Sequence, residues 1–318
     1  MNRLGDSGDG CAPTVSIILA TNRCGGYLSE TLAGVAAQTF RDWELVVVDD
    51  GSGHPEAIRS AVKGVDNARI VHQDNAGISV ARNVGFAHSS GEFVAYLDDD
   101  DLWAPDKLAR QVDALRADAA AGSCHSGYWF VDGEGERFGT EVIVQPASTE
   151  SYLSGEVDVP RINTLLVRRS VIQRLGGFLS NLSLFEDCEL VLRVVQEAPV
   201  VSLPDQLVGW RRYPESVSFT HNARVMNAAA IHAVMIARWG AVTQGHVAEA
   251  ELLLRNIDRA KRRFAEYHAA EFCHLVRTGR WRDAYSELSE GIHNSPSTVV
   301  RKCISVALRT NDKTATAA

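Results

Sequence analysis

The sequence contains no Cys-x-x-Cys pair, although six cysteines occur, at Cys11, Cys24, Cys124, Cys188, Cys273 and Cys303. Their scattered spacing argues against a disulfide framework or a zinc site and fits a reducing compartment. The ten histidines also lack ligand spacing; His268 and His274 fit helix packing better than a metal site. No apolar run approaches the ~18 residues of a spanning helix, so no transmembrane segment is expected. The first dozen residues lack the apolar centre of a signal peptide and read as a disordered tail of a cytoplasmic protein. There is no basic stripe with interleaved aromatics, and the net charge is -8, which argues against a nucleic-acid partner. The first strand is followed by neither Gly-x-Gly-x-x-Gly nor Gly-x-x-x-x-Gly-Lys-Ser/Thr, which speaks against dinucleotide binding and P-loop chemistry.

What is present is an ordinary globular composition, 45% hydrophobic and 23% charged, over 318 residues. That length allows one large domain or two of common size. The chain is organised around Phe93-Val94-Ala95-Tyr96-Leu97, followed at once by Asp98, Asp99, Asp100 and Asp101, then Leu102-Trp103. A short unbroken apolar run reads as a strand buried on both faces. Ligands of open parallel sheets bind beyond the carboxyl ends of such strands. If the chain stays extended there, Asp98 and Asp100 face the same way. Converging carboxylates repel unless a cation joins them, and hard oxygen ligands suit Mg2+ or Mn2+.

Strands predicted at residues 14–20, 43–48 and 68–72 precede this one, and helices at 27–38, 54–62 and 78–88 separate them. The alternation is that of βαβ units with a parallel sheet. Thr21, Asp49-Asp50 and the aspartate run end three of the strands, so their loops can share one pocket. After a helix opened by Pro105 the pattern is mixed, with strands at 128–131, 141–144 and 164–167. A helix over 170–175 is closed by Gly176-Gly177, and another opens at Glu186-Asp187, where acidic residues favour the helix dipole. From about residue 221 only helical patterns remain, at 228–239, 247–274 and 281–293, with a docked terminal helix expected over 299–308. The expected divisions are a tail at 1–12, an α/β domain at 13–220 and a helical region at 221–318.

The stretches Val15 to Thr21, Gln38 to Ser52, Asn75 to Gly85, Gly91 to Leu108, Gly176-Gly177-Phe178, and Glu186-Asp187 with Leu190, Leu192 and Arg193 come in this order along the chain. Together they resemble the family 2 glycosyltransferases. The resemblance implies a GT-A fold, an α/β/α sandwich with a mostly parallel central sheet. It implies transfer of a sugar, with inversion, from a nucleotide-sugar to a hydroxyl of a glycan, a lipid-linked or a small-molecule acceptor. Under it Asp98 and Asp100 are metal ligands for Mn2+ or Mg2+, and Asp187 is the catalytic base. Thr21, Asp49, Arg82 and Asp99 are nucleotide contacts. Trp103, Glu186, Arg211 and Arg212 are grouped as acceptor or diphosphate contacts. The expected partners are a UDP-sugar donor and a carbohydrate or lipid-linked acceptor, in polysaccharide biosynthesis, with peripheral contact at the inner face of the membrane. Two other readings are a catalytically silent nucleotide-sugar-binding or scaffold domain and a sugar nucleotidylyltransferase. Retention of Asp98, Asp100 and Asp187 speaks against the first, and the loop Thr21 to Gly26, which is not that class's Gly-rich basic loop, speaks against the second.

Overall fold

The computed structural model describes residues 12–23, 25–216, 223–278 and 280–300. The expected N-terminal tail, save Ala12, and the expected terminal helix beyond Val300 lie outside the described residues.

The first half follows the strand–helix alternation. In order come β1 (Val15–Thr21), α1 (Leu28–Ala36), β2 (Trp43–Asp50), α2 (Pro55–Val62), β3 (Ala68–Gln73), α3 (Ile78–Ala87) and β4 (Phe93–Asp98). Next are β5 (Leu102–Trp103), α4 (Lys107–Ala117), β6 (Ser123–Val131), β7 (Arg137–Val142), α5 (Thr149–Leu153), β8 (Leu165–Arg168), α6 (Arg169–Leu175), α7 (Glu186–Glu197) and β9 (Val200–Arg211). The nine strands form one sheet in the order β3-β2-β1-β4-β8-β6-β9-β5, with β7 paired to β6. Strands β1 to β4 are mutually parallel, whereas β8 joins β4 and β6 antiparallel.

Every residue of β1 and β2 is buried, as continuous runs of Val, Ile and Leu dictate when both sheet faces are covered. One face carries the main core, where Ile17, Leu19, Leu45, Val47, Ala95 and Leu97 pack against Leu32 of α1, Ile58 of α2 and Leu108 and Val112 of α4. On the other face Ala20, Val46 and Val48 meet Ala81 of α3. The helix approaches closely at Gly85, where an added Cβ would lie 2.4 Å from Ile18 Cγ2. The register aligns Thr21 with Asp49 across β1–β2, and Ala20 with Asp98 across β1–β4. The polar ends of three strands therefore lie along one edge.

The sequence reading missed strand β9. The strand passes through Pro204-Asp205, and its pairing with β6 shifts register around Gly127. Two-residue β5 pairs with β9, which is more than a hundred residues away, a contact that local pattern cannot show.

The chain divides into two compact units, Met1–Thr149 with Val159–Thr220, and Glu150–Asp158 with His221–Ala318. The second unit contains α8 (Ala223–Thr243), α9 (Val247–Arg277) and α10 (Trp281–Asn294). It also takes in Glu150–Asp158, a segment the sequence reading assigned to the α/β domain. Arg259 and Arg263 of α9 pair with Glu156 and Asp158 at 3.1 and 3.0 Å. Among the described residues one helical stretch, Val225–Thr243, is long and apolar enough to cross a membrane by length and composition. The sequence reading did not find it, because its hydropathy comes from many alanines around Arg238 rather than from an unbroken apolar run.

Candidate active site

The aspartate run leaves β4 as a tight turn and not as extended chain, with the Asp101 N–H donating to the Asp98 carbonyl at 3.3 Å. The four carboxylates therefore go to different partners. Asp98 accepts from an Arg82 terminal nitrogen at 2.7 Å. Asp99 accepts from the Thr21 hydroxyl at 2.6 Å and from Arg23, through Nε at 3.3 Å and a terminal nitrogen at 3.0 Å. Asp100 accepts from the same Arg23 nitrogen at 3.0 Å and from the Tyr213 hydroxyl at 2.7 Å. Asp101 is buried and bound within the protein, taking the Arg211 N–H at 2.9 Å and the Asn163 amide.

Charge explains the titration of this turn. Burial first, then the neighbouring Asp98 and Asp99 charges, push the Asp100 carboxyl up to about 6, against the pull of the Tyr213 hydroxyl and Arg23. Burial and the Asp98 and Asp100 charges raise Asp101 well above the usual carboxylate range. Arg23 is raised by its hydrogen bond and charge contact with Asp99, which outweigh its desolvation. The cluster thus holds more negative charge than its two arginines balance comfortably. Asp98 and Asp100 each keep one carboxylate oxygen without a protein hydrogen bond among the described residues.

Arg82 ties this turn to α7. It is buried on α3, and its second terminal nitrogen donates to Glu186 at 2.8 Å. Burial alone would lower its pKa, but the charges of Asp98, Glu186 and Asp187 raise it. Ser79, Arg82 and Asn83 lie three and four positions apart and so share one helix face. Ser79 donates to the Leu182 carbonyl at 2.9 Å. Asn83 both donates to and accepts from the Phe178 backbone, at 2.8 and 2.9 Å. This face fixes the loop from α6 to α7. Arg193 closes α6, donating to the Leu175 and Gly177 carbonyls at 2.8 and 2.9 Å while paired with Glu189. The residue just before α7, Phe185, has φ 58°, an unusual conformation for a bulky side chain. Glu186 follows it, buried, with its carboxyl raised by desolvation and by Asp187. Asp187 is partly exposed in the first turn of α7, and its carboxylate accepts the N–H of Cys188 at 2.8 Å.

At the end of β2, Asp49 accepts the Ser52 N–H and meets His72 Nδ1, both at 2.9 Å. These contacts lower its carboxyl despite burial. Asp50 instead holds the loop into α3, accepting the N–H groups of Ala76 and Gly77 at 2.8 and 3.0 Å. Gly77 has φ 90°, which only glycine adopts freely.

Of the sequence candidates, Thr21, Arg82, Asp98, Asp99, Asp100 and Glu186 belong to one hydrogen-bonded network, with Asp187 beside it and Asp49 at the neighbouring strand end. Trp103 lies in the main core, 5% exposed, with Lys107 Nζ 4.2 Å from its ring centre. Arg211 is also buried, donating to the carbonyls of Asp100 and Asp132 at 2.8 and 2.9 Å and to Glu30 at 2.6 Å. Arg212 lies over the rings of Phe130 and Trp210. Arg23 and Tyr213 were missed. An arginine two residues past a strand end, opposite an acidic run, was the signal available for the first; nothing local marked Tyr213.

Residues 16–176 match the sequence model of glycosyl transferase family 2. An uncharacterized glycosyltransferase of Nostoc sp. is 37% identical over 114 residues, 35% of each chain. The putative teichuronic acid biosynthesis glycosyltransferase TuaG of Bacillus subtilis is 33% identical over 106 residues, covering 32% of this chain and 42% of that protein. The chain thus spans well under half the length of these relatives. In three dimensions it is similar to S. aureus TarS 1-349 in complex with UDP, with TM-score 0.59 and 19% identity over 91% of this chain and 83% of that one. It is likewise similar to the mannosyltransferase PcManGT from Pyrobaculum calidifontis in complex with GDP-Man and Mn2+, with TM-score 0.55 and 17% identity over 92% and 88%. The fold is that of the GT-A glycosyltransferases.

Proposed function

The chain belongs to glycosyl transferase family 2, and we propose that it moves a sugar, with inversion, from a nucleotide-sugar to an acceptor hydroxyl. The observation that carries this reading is the Arg82 bridge. One buried guanidinium joins the aspartate turn to the start of α7 and so holds two carboxylate groups of different purpose in fixed relation.

A divalent ion fits Asp98 and Asp100. No group of three or more His, Cys, Asp or Glu side chains among the described residues is arranged to hold a metal by itself. Mg2+, however, is commonly held by one or two carboxylates plus substrate phosphates, and the free carboxylate oxygens and excess negative charge of the turn suit that arrangement. When bound, such an ion would offset the charge that grows on the departing nucleotide diphosphate. In this reading Thr21, Asp49 and Asp99 contact the nucleoside. Arg23 is half-exposed beside Asp100 and can meet a diphosphate.

Asp187 is the base in this reading. It sits in the first turn of α7 and is open enough to meet an acceptor, while Glu186 and Arg82 hold that turn in place. A carboxylate that takes the acceptor's proton in the transition state typically contributes ~10²–10⁴-fold in rate. UDP-sugars are the first donors to try, since TarS is seen with UDP. A polysaccharide acceptor accords with the name of the teichuronic acid relative.

The test is Asp187→Asn, which keeps the shape and loses the proton acceptor. Donors are first found by thermal shift with UDP-sugars and GDP-sugars in the presence of Mn2+. Transfer is expected to fall by about two to four orders of magnitude, with donor affinity and melting temperature close to wild type. Near-normal transfer by a folded variant would remove Asp187 from the mechanism.

A further inference from the structure

Four aromatic side chains gather on β6, β7 and β9. Tyr128, Phe130, Phe138 and Trp210 form a chain of ring contacts with centroids between 5.5 and 6.0 Å apart. The strand registers pair Phe130 with Trp210 on one side and with Phe138 on the other, so one sheet face carries the cluster. Phe138 is exposed, and the other three are half-buried.

Two guanidinium groups lie on these rings. Arg161 is 3.7 Å from the Trp210 ring centre and 5.4 Å from that of Tyr128. Arg212 is 5.4 Å from Trp210 and 5.5 Å from Phe130. Arg161 is exposed, and no carboxylate of the described residues pairs with it. In a chain of net charge -8 this is a cation with no counter-ion among the described residues, lying over an aromatic ring. Stacking leaves the N–H edges of a guanidinium open to a planar or tetrahedral oxyanion.

The cluster adjoins the aspartate turn through two separate links. Asn163, two residues after Arg161, donates to Asp101. Arg211, the neighbour of Trp210, donates its N–H to the same Asp101 and its Nε–H to the Asp100 carbonyl. Two residue lengths of chain, roughly 7 Å, separate Arg161 from Asn163 on one path, and one residue length, roughly 3.5 Å, separates Trp210 from Arg211 on the other. Successive strand residues point to opposite faces, so Trp210 looks away from the side where Arg211 meets Tyr27 and Glu30.

We propose that this face is an acceptor subsite for a saccharide that carries a phosphate or carboxylate group. Arg161, lying on Trp210, pairs with the anion, and the exposed ring of Phe138 receives the apolar face of the sugar. This rests on the transferase reading for its place in the reaction, but its ligand chemistry can be tested separately.

The experiment is calorimetric titration of the full chain with glucose, glucose 6-phosphate and glucuronate, with and without saturating UDP and Mg2+. The wild type is expected to bind at least one of the two anionic sugars about tenfold more tightly than glucose, as a charge-assisted arginine pair provides, and UDP is not expected to abolish that preference. Whichever anion ranks first identifies the source of the charge. Arg161→Gln is expected to erase the preference and Arg161→Lys to keep part of it, with melting temperature and UDP affinity unchanged in both. Equal affinity for all three sugars in the wild type, or a preference that survives in Arg161→Gln, overturns the proposal. UDP affinity is read in its own titration, so its absence would count against the donor site and leave the sugar ratio to stand or fall alone.

Discussion

Arg23 donates to Asp99 and Asp100 from one half-exposed guanidinium, at the place where a divalent ion would share Asp100. A guanidinium on one Asp100 oxygen repels a divalent ion on the other and draws off part of the carboxylate's charge. Arg23→Gln is therefore expected to bind Mn2+ about tenfold more tightly in the absence of nucleotide, since an opposite charge at this range is worth one or more pK units to a carboxylate. The same variant should bind UDP more weakly. Metal calorimetry decides it, and unchanged Mn2+ affinity would show that Arg23 and the ion do not compete. Lys107 poses a second question of charge. It is fully buried, with Nζ donating to the Gln111 side-chain Oε1 at 2.7 Å, and burial brings its pKa down to about 7. An unfolded lysine titrates near 10.4. Between about 7 and 10 the unfolded chain binds more protons than the folded one, so stability rises with pH, by up to ~1.4 kcal/mol per unit. Urea midpoints at pH 7, 8 and 9 should climb in the wild type and climb less in Lys107→Met. Equal slopes would mean that Lys107 keeps its proton in the folded state. The acidic run and Glu186-Asp187 were legible as candidates because charge beside apolar pattern stands out. Lys107 did not stand out, because a lysine in an amphipathic helix normally faces water.

Helix α3 shows how one element organises the site. Its apolar positions dock it on β1 and β2, while Ser79, Arg82 and Asn83 on one face hold the loop that leads to the proposed base. Asn83 satisfies both backbone groups of Phe178, so Asn83→Ala leaves a partly buried N–H and C=O unpaired. That is expected to cost about 1–3 kcal/mol, or a fall of several degrees in melting temperature for a unit of this size. Transfer should drop more than UDP affinity, because α7 loosens while the strand ends remain. A variant with lowered stability and unaltered transfer would show that the loop does not position Asp187. The helix itself was readable from its 3.6-residue periodicity. Which carbonyls its polar face meets was not, because Phe178 and Leu182 lie about a hundred positions further along the chain.

For the whole molecule, the named site residues all fall in the α/β unit. A chain ended after residue 220 is therefore expected to keep UDP affinity within about threefold if it folds, a tolerance well under one factor of ten or ~1.4 kcal/mol. It would be less stable, because Glu150–Asp158 loses the unit it packs with: Glu156 and Asp158 lose Arg259 and Arg263, and Gly155 loses Asn256, which lies against it. Thermal melts and UDP titrations on the shortened chain measure both effects. Folded protein that no longer binds UDP would show that the helical unit completes the donor site.

Local chemistry was enough to read β1 to β4 and the helices between them. Continuous Val, Ile and Leu runs must be buried on both faces, and polar residues at the ends of parallel strands must emerge along one edge. The order of motifs, read along the chain, identified the family. Long-range packing settled the rest. Strand β9 crosses Pro204-Asp205 because a shift in its pairing with β6 accommodates the missing donor. Asp101 became a structural acceptor because the Arg211 N–H and the Asn163 amide reach it. Arg211, which the family pattern suggested for ligand contact, is instead enclosed by Tyr27, Glu30 and the Asp132 carbonyl. In each case the deciding partner is remote in sequence, and a hydrogen bond or ion pair between distant residues leaves no periodic trace in either segment.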